Sequence, residues 1–116
     1  MAITLLAGAA KADEKTDRAF LDGNALLTRC TDAGPVEVEC IGYVEGIADA
    51  MAAIQAHDGS LQGSRACIPD TVLSTQVRDI VTRFLREHPE LRHVSAASVV
   101  AHALAEAFPC PPAAQP

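Results

Sequence analysis

The four cysteines constrain this 116-residue chain more than any other feature of its sequence. No C-x-x-C pair occurs, and the spacings fit no common pattern of zinc ligands. An even number of cysteines in a small chain is typical of exported proteins, which use disulfides to reinforce a small core. We therefore predict two disulfides among Cys30, Cys40, Cys67 and Cys110.

Aromatic residues make up only 3% of the chain, so its core must be built from Leu, Ile, Val and Ala. Such a core gains less per residue from burial, and disulfides then matter more. Four cysteines allow three pairings, all open from the sequence. We favour Cys30–Cys40 with Cys67–Cys110, because each bridge then ties neighbouring helix ends. In the chain-entropy model these bridges contribute roughly 3 and 4 kcal/mol.

Residues 1–12 have the features of a signal-peptide remnant. An apolar run, MAITLLAGAA, is followed by Ala10-Lys11-Ala12, which has the A-x-A form of a signal-peptidase site. No Lys or Arg precedes the run, and a short helix packed on the domain is the alternative. We expect export to the periplasm, a single domain over residues 13–112 and a disordered tail at 113–116. No later segment has the length of a membrane span.

The net charge of −6 excludes a general binder of nucleic acids or anionic membranes, because these proteins need a basic face. The charge is also unevenly distributed, with no Lys or Arg between Arg29 and Arg65. This distribution favours an electropositive partner for the first half of the chain. A solvated acidic face is the alternative explanation. The acidic residues of the segment are Asp32, Glu37, Glu39, Glu45, Asp49 and Asp58.

Apolar periodicity predicts four helices and an all-α fold, a small bundle held by two disulfides. The first two helices are expected over about 17–31 and 36–57, with a late start of the first at Asp22-Gly23-Asn24 as the alternative. The third begins near Thr71 or Ser74 as N-cap and ends before Pro89, and the fourth begins at Ser95 as N-cap. No strand-like alternation competes with this assignment.

The sequence contains no motif of a common enzyme class. The four histidines, at 57, 88, 93 and 102, fall at helix ends or exposed-looking positions, so we expect no metal site and no cofactor. Glu45 and Asp49 lie four residues apart on the second helix, but nothing completes a reacting centre around them. We therefore expect no catalytic residues and no enzyme.

Two glycines one turn apart, Gly42 and Gly46, interrupt the second helix. Each costs about 1 kcal/mol of helix propensity relative to Ala, which suggests close approach by another backbone. We slightly favour a contact with the first or fourth helix inside the monomer. The alternative is a contact along this strip with a second copy of the chain or another partner.

Residues 40–50, CIGYVEGIADA, resemble the C-x-G-Y-h-x-G-h-x-D-A core (h, apolar) of the Rap/Tai immunity proteins of the type VI secretion system. The resemblance spans about residues 20 to 111 and includes all four cysteines in order. Its other matching pieces are Gly23-Asn24, Leu26-Leu27, Cys67-Ile68-Pro69, Gln76-Val77, Phe84-Leu85, His88-Pro89-Glu90 and Ala107-Phe108-Pro109-Cys110-Pro111.

The resemblance implies a helical periplasmic protein, in many members a homodimer, that inhibits a secreted peptidoglycan amidase by occluding its active-site cleft. As partner-binding residues we select Glu45, Asp49, Gly42, Gly46 and Asp58, the last in a loop at 58–63. The alternative function is a general periplasmic structural protein, or one similar to small acid-stress chaperones.

Overall fold

The computed structural model describes residues 19–32 and 35–112. They form four α-helices, α1 (Gly23–Thr31), α2 (Pro35–Gln55), α3 (Ser74–Glu87) and α4 (Ala96–Ala107), with a 3-10 turn at Pro89–Leu91. No strand occurs within these ranges beyond two isolated bridges, so the predicted all-α class is confirmed. The signal-peptide remnant at 1–12 and the tail at 113–116 lie outside the described residues.

Two helix starts follow from side-chain capping. The Asp22 carboxylate accepts a hydrogen bond from the N–H of Ala25 at 2.8 Å, so α1 begins at Gly23, the late start that was the alternative from the sequence. Ser95 caps α4 as predicted, since its hydroxyl accepts a hydrogen bond from the N–H of Ser98 at 3.2 Å. Each cap pairs one of the four amide groups that a helix start leaves without an internal partner.

The start of α3 differs from the sequence prediction. Leu73, and neither Thr71 nor Ser74, occupies the N-cap position. The Gln76 side chain provides the capping interaction instead, accepting a hydrogen bond from the N–H of Leu73 at 2.7 Å. The Ser74 hydroxyl is therefore available for a contact outside its own helix. Leu73, at the N-cap position, is 64% exposed.

The core lies between the four helices. The spacing of apolar residues predicts a buried stripe on α3, in which Ile80 is half-buried and the others are buried, namely Val77, Val81, Phe84 and Leu85. Apolar spacing also predicts a stripe on α2 that ends at Ile54; Val44 and Met51 of this stripe are buried in the core, whereas Ile54 is 36% exposed. The remaining buried apolar residues are Leu26, Cys30, Cys40, Ala66, Ala96, Val99, Val100, Ala101, Ala103 and Leu104.

Both disulfides have the pairing favoured from the sequence. Cys30–Cys40 ties the end of α1 to α2, and Cys67–Cys110 ties the loop before α3 to the segment after α4. The first bridge is inside the bundle, with Cys40 fully buried, whereas Cys67 is exposed. The backbone N–H of Cys67 also donates to the carbonyl of Phe108 at 2.9 Å, so the second bridge reinforces an existing contact.

Candidate functional site

One side of α2 faces solvent along the whole helix. Its exposed residues recur at helical spacing, so they form one continuous face, which we call the α2 face. Small and apolar residues dominate it, and Val38 is 70% exposed. The opposite side of the helix is apolar because it enters the core, which leaves α2 with few polar positions. The α2 face comprises Val38, Gly42, Glu45, Gly46, Asp49, Ala52 and Ala53.

The two glycines of the α2 face contact no other part of the described chain. A Cβ atom built at Gly42 or Gly46 would meet nothing within 4 Å, so the close contact favoured inside the monomer is wrong. The helices α1 and α4 pack elsewhere on α2, through the Cys30–Cys40 bridge and through the Tyr43 side chain, which hydrogen-bonds the backbone of Ala97. The glycines therefore lower helix propensity with no compensating contact within the bundle.

Glu45 and Asp49 border a groove between α2, α3 and the loop before α3. The groove has a volume of about 330 Å³, and we call it the α2–α3 groove. At its rim the Ser74 hydroxyl donates a hydrogen bond to the Glu45 carboxylate. The groove is lined by Glu45, Ala48, Asp49, Ile68, Val72, Ser74 and Val77.

The carboxylates beside the groove differ from the acidic residues at the start of α2. Glu37 is paired with Arg78 on α3, and Glu39 lies 3.6 Å from the guanidinium of Arg29. Within the described residues, no ion pair joins Glu45 or Asp49 to a basic side chain. The α2 face therefore presents negative charge that the described chain does not neutralise.

The fifth residue selected from the sequence, Asp58, lies beyond the C-terminal end of α2. Its φ of 64° places it in the left-handed region. The N–H of Asp58 donates to Gln55 and the N–H of Gly59 donates to Ile54, both at 3.0 Å, which is a Schellman ending with Asp where Gly is usual. The structure thus brings Gly42, Glu45, Gly46 and Asp49 together on one face and places Asp58 apart from them.

The loop after Asp58 is held to the bundle by two glutamines that the sequence analysis missed. Gln62 (φ 51°) and Gly63 (φ 84°) form the centre of a tight turn of type I′ geometry, and the Ser98 hydroxyl donates to the Gln62 side chain. Gln55 makes two hydrogen bonds of 2.9 Å with the backbone of Ala66. A Gly at 63 signals a turn, but no sequence pattern predicts the partners of these amides.

The histidines form no site of their own. His88 is half-buried and stacks on Phe84, with ring centroids 3.9 Å apart. Within residues 19–32 and 35–112, no group of three or more His, Cys, Asp or Glu side chains is placed to hold a metal ion. Among the helices described, none has the length and apolarity needed to cross a membrane.

Comparison with known protein families identifies a related family. A family model described as Rap1a immunity proteins matches residues 22–110, a range that holds all four helices and all four cysteines. No curated protein and no solved structure matches the chain.

Proposed function

The chain belongs to the Rap1a immunity protein family, and we propose that it binds and inhibits a toxic effector of the type VI secretion system. The match over residues 22–110 carries this proposal, because it covers the whole described bundle. An immunity protein acts as a stoichiometric inhibitor and needs no catalytic centre. The effector we propose is a peptidoglycan amidase, which cuts the peptides of the cell wall.

The proposed place of action is the periplasm. Such an effector meets its substrate there, and disulfides form and persist there. The two bridges of this chain fit that compartment, as does the leader expected at residues 1–12. They also limit the entropy that the protein loses on binding, because a cross-linked bundle has little left to order.

We propose that the effector is bound by the α2 face together with the loop at 58–63. The glycines at 42 and 46 allow a partner to approach the helix backbone closely, since no side chain projects there. The carboxylates of Glu45 and Asp49 increase the rate of encounter with a basic enzyme surface. Asp58 extends the negative charge beyond the end of α2.

A homodimer is the competing use of the same face. If two copies packed α2 against α2 around Gly46, Glu45 and Asp49 of each copy would lie near those of the other. Like charges placed close together oppose association. The charge of the face therefore favours a basic partner over a second α2, and any homodimer is expected to use another surface.

The test uses the product of the gene adjacent to this one, purified and assayed for peptidoglycan hydrolysis. An equimolar amount of this protein should abolish the hydrolysis, and Glu45→Arg or Asp49→Arg should weaken the complex while the fold stays intact. Glu90→Arg, on the 3-10 turn, is the control with the same charge change. Unimpaired hydrolysis contradicts the immunity role, and a complex unchanged by both substitutions contradicts the interface.

A further inference from the structure

We infer that the α2–α3 groove is a binding site for one lysine or arginine side chain of a protein partner. The inference rests on the proposed function, since that partner is the effector, and it assigns a binding chemistry to this groove. The groove is an open depression in the surface beside the α2 face, bordered by Glu45 and Asp49 on α2.

The shape of the groove suits a long side chain with an apolar stem. Its volume of about 330 Å³ is at the lower end of the range for small-ligand sites. Four apolar side chains contribute to its lining, from α2, from the loop before α3 and from α3 itself. Lysine and arginine lay their methylene stems along such surfaces and keep the charged head at a polar rim. The four apolar side chains that line the groove are Ala48, Ile68, Val72 and Val77.

The polar rim supplies acceptors and no competing cation. The Ser74 hydroxyl occupies one Glu45 oxygen and thereby orients the carboxylate, which keeps its second oxygen available. The Asp49 carboxylate stands one helical turn away on the same side of α2 and has no ion pair within the described residues. No Lys or Arg lines the groove, so a cation must come from outside this part of the chain.

The same arrangement excludes other occupants of similar size. An acidic side chain would meet two carboxylates and no cation, which is unfavourable. An apolar side chain would cover the floor but offer no hydrogen-bond donor or positive charge to the two carboxylates at the rim. A head group that donates several hydrogen bonds, as ammonium and guanidinium groups do, satisfies the floor and the rim together.

Nuclear magnetic resonance titration of the ¹⁵N-labelled protein tests the inference without the effector. The probes are N-acetyl-lysinamide and N-acetyl-argininamide, and the control probe is N-acetyl-norleucinamide, which has an apolar side chain and no charge. We expect saturable shifts in the backbone amides of the groove residues with the two cationic probes and none with the control. Raising the salt concentration should weaken the binding, because the rim is exposed to solvent.

Charge-removing variants locate the binding. Asp49→Asn should weaken binding of the cationic probes by about 1.5- to 5-fold, the range of a solvent-exposed ion pair. Glu90→Gln, which removes one charge from the 3-10 turn, should leave it unchanged. Equal shifts with norleucinamide, no saturable shifts up to the solubility limit, or equal effects of the two variants would each overturn the inference.

Two further outcomes separate the groove from the immunity role. Self-association of the protein that Asp49→Asn abolishes would assign the groove to a second copy and overturn the inference. Because the titration contains no effector, its failure leaves the inhibition assay to decide the immunity role on its own. Conversely, cation binding in the groove without inhibition of the effector would retain the site and refute the function.

Discussion

The two disulfides should differ in how easily they are reduced while the protein is folded. Cys30 and Cys40 are 9% and 0% exposed, whereas Cys67 is exposed and Cys110 is half-buried. A reducing thiolate must reach a sulfur atom to attack it. Mild dithiothreitol treatment of the native protein should therefore reduce Cys67–Cys110 first and leave Cys30–Cys40 intact.

The magnitude of the effect follows from the loop that the bridge closes. The sequence separation is 43 for Cys67–Cys110 and 10 for Cys30–Cys40. In the chain-entropy model these loops correspond to about 4 and about 2.7 kcal/mol of stability. Reduction leaves both sulfur atoms in place and creates no cavity. The singly reduced protein should thus lose about 4 kcal/mol of its free energy of unfolding.

Pulsed alkylation with mass spectrometry identifies which thiols are released. Urea unfolding of the singly reduced protein, before any alkylation, gives its free energy of unfolding. The double variant Cys67→Ala and Cys110→Ala should match the intermediate, because the position of the second bridge near the surface makes lost packing small. Release of the Cys30 and Cys40 thiols first would contradict the predicted order of reduction. A loss of less than about 1 kcal/mol in the free energy of unfolding, on opening the longer loop, would contradict the predicted magnitude.

The remaining predictions concern single residues. Gly46→Ala should raise the free energy of unfolding by about 1 kcal/mol in urea titrations, because its Cβ meets open space. Gly23→Ala should lower the free energy of unfolding by about 1–3 kcal/mol, because its Cβ would lie 2.8 Å from a backbone atom across the bundle. Gln55→Ala should lower the free energy of unfolding by about 1–3 kcal/mol, because the N–H and the carbonyl of the buried Ala66 both lose the side-chain amide as their hydrogen-bond partner. An unchanged midpoint of thermal unfolding would contradict this. Burial raises the pKa of Tyr43 above 10.0, although a hydrogen bond with the backbone opposes the shift. The folded state thus keeps the phenol proton to higher pH than the unfolded state, and stability falls as pH rises above about 10; because the chain has one tyrosine, phenolate absorbance should titrate later in the native protein than in urea.

The core and the helix ends with strong local signals were predictable from the sequence. The α3 stripe shows the spacing of an amphipathic helix and is buried as expected. Ser95 is a common capping residue and caps α4. The disulfide pairing that the structure shows is the favoured one of the three that the sequence left open, because both bridges tie neighbouring helix ends.

The surface of α2 was not predictable in the same way. The helix is apolar around most of its circumference, so periodicity does not decide which side is buried. A contact inside the monomer was therefore expected at Gly42 and Gly46, where the structure has none, and the exposure of Val38 was not predicted. The exposure of Leu73, at the start of α3, was not predicted either. The start of α3 was missed as well, because the side chain that caps it comes from within the helix, at Gln76.

The proposed function requires this disulfide-linked bundle to neutralise an effector by binding it. The most direct measurement is the rate of peptidoglycan hydrolysis by the product of the adjacent gene as this protein is added, in its oxidised form, over a range of molar ratios. Hydrolysis should fall to zero near one equivalent of binding sites. Undiminished hydrolysis at a large molar excess would contradict it.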